Sequence, residues 1–125
     1  MNRLELPWPP SVNHYFSVIR GRPVLSKDVR VFRQMVRRIL RSAGVKPFFG
    51  PLVVRIDAFP PDRRRRDLDN ILKPLLDALE HGGAFCDDSQ IVDLRARKLE
   101  HTAGGKVIVR IQEMVEQDAK SLDRV

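Results

Sequence analysis

The sequence predicts a small single α+β (α/β) domain, a mixed β-sheet with two main helices packed on it. Three observations carry that expectation. Leu52–Phe59 alternates with a period of two, and Pro60-Pro61 closes it. Two stretches, one opening at Ser26 and one near Asp69, repeat apolar residues at helical spacing. Two more alternating segments follow Gly82-Gly83. At 125 residues and 42% hydrophobic content, the chain has material for one ordinary core.

In chain order, Leu4 to Trp8 is a short strand ended by Pro9-Pro10, and Ser11-Val12-Asn13-His14-Tyr15 is turn-rich. His14, Tyr15 and Phe16 offer rings for base stacking, but the favoured expectation is that one ring packs under the sheet and His14 sits in solvent. Ser26 is placed to cap a helix with Asp28 in its first turn. Val29, Phe32, Val36, Ile39, Leu40 and Ala43 form that helix's apolar stripe, and Gly44 stops it. Arg30, Arg33, Arg37, Arg38 and Arg41 occupy the other faces, either tracking phosphates or simply meeting solvent.

In the strand Leu52–Phe59, Leu52, Val54, Ile56 and Ala58 face one way. A second helix starts at Asp69 or Asn70 and runs to about His81, with Leu68, Leu72, Leu75, Leu76 and Leu79 as its stripe. Pro74 inside it predicts either a missing bond to the Asn70 carbonyl or a late start. From Ile91 to Leu99, Val92, Leu94 and Ala96 are expected to face inward. Thr102 to Gly105 reads as a turn that joins this segment to Val107–Ile111 in a hairpin. The domain is expected to span residues 1–114, with a polar tail over 115–125.

Lys and Arg total 23 against 16 Asp and Glu, a net charge of +7. That balance favours a polyanion, and nucleic acid ahead of a membrane surface, since no long amphipathic helix with aromatic anchors is present. A lone cysteine, Cys86, excludes an internal disulfide framework and argues against zinc. Charge and proline interrupt the first residues before any signal-like apolar run forms, and no segment has the ~18 apolar residues of a membrane span. A cytoplasmic protein is the expectation.

The chemistry concentrates in Asp62-Arg63-Arg64-Arg65-Arg66-Asp67-Leu68-Asp69-Asn70. Arginines attract phosphate, and close carboxylates attract a divalent cation. In an extended segment Asp67 and Asp69 point to the same side, and magnesium needs only two or three protein oxygens because it retains water. The competing explanation is helix capping, worth roughly 1 kcal/mol. Capping requires one such side chain, and three stand here, which puts a metal site slightly ahead. Asp87-Asp88 alone reads as a turn. Lys73, four residues after Asp69, is either a salt-bridge partner or a fixed charge for a transition state.

Taken together, Leu6-Pro7-Trp8-Pro9-Pro10-Ser11 with Asn13, Pro61 to Asn70, Lys73, Asp77-Ala78-Leu79, Asp87 to Asp93 and Lys98 resemble the RusA-type Holliday junction resolvases of bacteria and their prophages. The similarity spans roughly Leu4 to Glu113. It implies a homodimer that cuts four-way junction DNA with Mg2+ (Mn2+ as a substitute), and metal ligands at Asp67, Asp69 and Asp88. It also implies an essential lysine at Lys73 and DNA contacts from Arg63, Arg64, Arg65 and Arg66. Two other readings stay open: a non-catalytic DNA-binding module, and a metal-dependent nuclease without junction selectivity.

Overall fold

A computed structural model describes residues 2–114; the tail over 115–125 lies outside the described residues. Six strands and two helices follow one another as β1 (Asn2–Pro7), β2 (Phe16–Ile19), β3 (Arg22–Leu25), α1 (Lys27–Ser42), β4 (Leu52–Phe59), α2 (Asp69–His81), β5 (Ile91–Lys98) and β6 (Lys106–Glu113). The main sheet has the order β1-β6-β4-β5, and β2-β3 form a separate two-stranded hairpin. The fold is therefore α+β with a mixed sheet: β4 pairs with β5 in parallel and with β6 antiparallel.

The hairpin expected between the last two segments does not form, because β4 lies between β5 and β6. Parallel neighbours need a long crossover, and α2 supplies it, making β4-α2-β5 a βαβ unit. The Thr102–Gly105 turn instead carries the chain over the exit of β4. Leu99 N–H donates to the Ala58 carbonyl at 2.8 Å and Thr102 N–H to that of Pro60 at 2.8 Å. Gly105, at φ +71°, passes so close that an added Cβ would meet Pro61 at 3.0 Å. The β4 exit and this turn are locked together.

Alternation in β4 puts Leu52, Val54, Ile56 and Ala58 at 0–1% exposure against the helices. Phe32, Val36 and Leu40 of α1 and Ile71, Leu75, Ala78 and Leu79 of α2 complete this core with Leu4, Leu6, Val107, Val109 and Ile111. The Ser26 hydroxyl caps α1, accepting from Val29 N–H. Pro74 is buried within α2, whose first residue is Asp69. The late start is thus excluded, and the bond to Asn70 is the one forgone. Val92 and Leu94, expected inward, are 45% and 40% exposed, because β5 is an edge strand that the helices do not fully cover. Phe16 and Val18 on the β2-β3 hairpin are also exposed, at 59% and 75%.

On the sheet face away from the helices, Asp57 accepts from Arg97 Nε at 2.6 Å and lies 3.1 Å from Arg110 Nη1. The Arg97 bond, seconded by Arg110, holds its carboxyl below the usual carboxylate range. A depressed folded-state pKa stabilises above the unfolded value of about 3.9, and that contribution is lost as pH falls through the folded value. Asp57→Asn is accordingly expected to lose about 1 kcal/mol at pH 6 and less below pH 3, read from urea midpoints at the two pH values. Equal losses at both would refute the ion-pair account.

Candidate active site

The arginine loop leaves β4 through Pro60-Pro61 and is organised by Asp62. That carboxylate accepts from Arg64 N–H at 3.0 Å, and from Arg66 Nε at 3.2 Å and Nη2 at 2.9 Å. Arg66, followed by the Arg64 backbone, holds the Asp62 pKa below its ordinary value. Lys98 Nζ donates to the Arg66 carbonyl at 2.8 Å, which ties the loop to the end of β5. Arg63, Arg64 and Arg65 are left exposed to solvent.

The capping explanation for the next acidic residues fails. Leu68 occupies the N-cap of α2 with no side-chain cap bond, and the first turn closes through backbone contacts, Asn70 N–H to Asp67 O at 3.2 Å and Ile71 N–H to Leu68 O at 3.1 Å. Asp67 and Asp69 are both exposed. Asp67 lines a cleft with Trp8, Ser11, Arg65, Arg66 and Asn70, which brings the amino-terminal Pro-Trp-Pro segment to the arginine loop.

Lys73 does not pair back to Asp69. Its Nζ lies 3.1 Å from Asp77 Oδ2 and 5.5 Å from the Tyr15 ring centroid. The Asp77 bond raises the Lys73 pKa above its ordinary value, with a smaller contribution from Asp88, so Lys73 stays cationic. Tyr15 is the ring that packs inward, at 5% exposure, and it lies against the helices. Its hydroxyl donates to Asp77 at 2.5 Å and accepts from Arg33 Nη2 at 2.7 Å. Burial first, then the Asp77 bond, pushes its pKa up. Arg33 is therefore drawn inward from the basic surface of α1, while His14 is exposed.

At the far end of α2, Asp87 caps the 3₁₀ turn Asp88–Gln90 in a capping box with Gln90. The turn reading of Asp87 holds, and its pKa is lowered by the Ser89 N–H bond. Gln90 pins this turn: Oε1 accepts from Cys86 and Asp87 N–H at 2.8 and 2.9 Å, while Nε2 donates to the Phe48 and Gly50 carbonyls at 3.0 and 2.9 Å. Asp88 N–H donates to Glu80 Oε1 at 2.7 Å.

Glu80, Asp87 and Asp88 bring one carboxylate oxygen each within 4.8 Å of one another, the only such trio among the described residues. Asp67 and Asp69 are outside it, at the head of α2. Glu80 is the residue the sequence reading missed. Its signal was present in the spacing of Asp69, Lys73, Asp77 and Glu80, which falls on one helix face.

Carboxylates along a helix that begins at an arginine loop, in a basic α+β domain, are a donor set compatible with a hard divalent cation beside phosphate. The family model described as endodeoxyribonuclease RusA matches residues 7–112, and the chain belongs to that family. It is 43% identical over 112 residues to the crossover junction endodeoxyribonuclease RusA of Shigella sonnei, and equally to that of Escherichia coli K12, covering 89% of this chain and 93% of each relative. Identity to the protein of that name from Enterobacteria phage 82 is 42% over 112 residues. Among the described residues, no helix is long and apolar enough to cross a membrane.

Proposed function

We propose that this chain is a magnesium-dependent Holliday junction resolvase, a structure-selective endodeoxyribonuclease of recombination and repair that makes paired symmetric nicks in four-way DNA as a homodimer. The carrying observation is that Asp67 and Asp69, in a chain of this family, stand exposed at the head of α2 and are not spent on capping it. The oxygen-only donor set suits Mg2+, with Mn2+ as a substitute.

Asp67, Asp69 and Asp88 are the proposed metal ligands. Asp69 and Glu80 lie eleven positions apart on α2, about 16 Å along its axis, and Asp88 is bonded to Glu80. We infer that a centre using all three aspartates is shared between two chains. A two-fold axis across α2 would set the head of one helix beside the foot of the other. The exposed Phe16 and Val18 of the β2-β3 hairpin offer apolar surface that such a pair would bury.

Magnesium held by Asp67, Asp69 and Asp88 would polarise a phosphoryl oxygen and lower the pKa of water beside it. The carboxylates fix that position. Lys73, kept protonated by Asp77, offsets charge developing on the phosphate and the leaving oxygen. Water oxygen bonds to phosphorus, the P–O3′ bond breaks and the 3′ oxygen gains a proton, leaving a 5′-phosphate and a 3′-hydroxyl. Arg63 to Arg66 hold the backbone, with Arg66 aligned by Asp62. A bacterial or prophage-encoded cytoplasmic enzyme fits this role, in line with the bacterial and phage origin of the relatives.

A mobile four-way junction incubated with and without Mg2+, beside duplex and single strands of the same sequence, tests the reading. Paired nicks in the junction alone, and only with the metal, are expected. Equal cutting of all three substrates would replace it with an unselective nuclease. Binding without cutting in any divalent metal would reduce it to a binding module.

A further inference from the structure

The sheet face away from the helices carries charge that the cutting site does not use. Strand register places Arg3 opposite Arg110, Arg110 opposite Arg55, and Arg55 opposite Arg95. One arginine from each strand thus forms an unbroken row across β1, β6, β4 and β5. At about 4.8 Å per strand the row is about 14 Å long.

Like charges directly opposite one another destabilise a sheet, and the neutralisation on this face is partial. Asp57 engages Arg97 and Arg110, and Asp93 lies 3.6 Å from Arg95. Among the described residues, Arg3 and Arg55 have no acidic partner within ion-pair distance, and both are exposed. Arg55, Arg95, Arg97 and Arg110 line a shallow cleft with Asp57. The next row carries Glu5 and Asp57 beside Arg97, and Lys106 beyond it lies 3.2 Å from Glu5, so the unpaired charge of this face is concentrated in the Arg3–Arg110–Arg55–Arg95 row.

We infer that this sheet face is a second DNA surface, which holds the backbone of one duplex arm away from the cutting site. The inference rests on the proposed junction activity. A duplex carries about one charge per 1.7 Å of axis, both strands counted, so about 14 Å of it holds about eight phosphate charges, of which the row meets those on the facing side. A second copy of the chain fits poorly, since two such faces would oppose arginine to arginine. A four-way junction has arms that leave the cut point in different directions, and a face on the reverse of the sheet is reached only by an arm of sufficient length.

The full-length double variant Arg3→Ala/Arg55→Ala is compared with wild type and with Lys27→Ala/Lys46→Ala, which removes equal charge at exposed positions elsewhere. Binding is measured against salt for junctions with long and short arms. The arginine variant is expected to reduce the salt slope for the long-armed junction by about 2, and to lower the long-to-short affinity ratio by about tenfold, with the lysine variant at the wild-type ratio. Three results overturn the inference: a wild-type ratio in the arginine variant, an equal fall in both variants, or a change of oligomeric state by light scattering. Wild-type protein that binds no junction would instead refute the underlying activity.

Discussion

Asp69→Asn is expected to lower junction nicking by about 100-fold or more while junction binding is retained or tightens. The floor comes from metal sites in general, where losing a mere supporting contact to a ligand costs about 10–100-fold. Binding survives because the change removes a negative charge beside the arginine loop, which weakens repulsion of the phosphate backbone. Asp69 sits in the first turn of α2, where its charge also complements the helix dipole by about 0.3–1 kcal/mol. A melting curve therefore separates lost folding from lost chemistry. A folded variant that still cuts at the wild-type rate would remove Asp69 from the metal site.

Mixing two inactive variants is expected to give the most diagnostic outcome. In a heterodimer of an Asp69→Asn chain with an Asp88→Asn chain, a site shared between subunits suffers both lesions on one side and neither on the other. Such mixtures should nick one strand at up to half the wild-type rate per heterodimer, although each variant alone is inert. A site contained within a single chain predicts no recovery, since every chain then carries a broken centre. Gel analysis distinguishes single nicks from paired resolution. The expectation follows from the length of α2, which separates Asp69 from the Glu80–Asp88 contact.

Much of the architecture was legible because local signals agreed with tertiary demands. The β4 alternation, the Ser26 cap and the stripe of α1 each specify their element without outside help. The β5-β6 pairing was misread because turn chemistry at Thr102–Gly105 is the same whether a chain reverses onto its neighbour or steps over an intervening strand. Only the burial of β4 on both faces, with Val53 at 5% exposure and Val54 at 0%, demands the central place. The β2-β3 hairpin went unnoticed because Arg20-Gly21 at its tip, with φ of 53° and 75°, lacks the asparagine that usually marks such turns. At the site, Asp67, Asp69 and Lys73 stood out by spacing. Glu80 shares the helix face of Asp69 and Lys73, but its partner Asp88 N–H is reached only after the chain turns back at Gly82-Gly83.

Strand β6 sits between β1 and β4 and, among the described residues, is β1's only partner in the sheet. Strand β1 is synthesised about a hundred residues before β6 and waits for it, and no amount of early folding closes the sheet without it. A nascent chain stalled before Lys106 would keep its arginine loop yet lack the strand that completes the scaffold beneath it. Premature stop codons anywhere upstream of that strand should therefore behave as complete losses of the gene product, cleared by proteases rather than accumulating as truncated competitors for DNA.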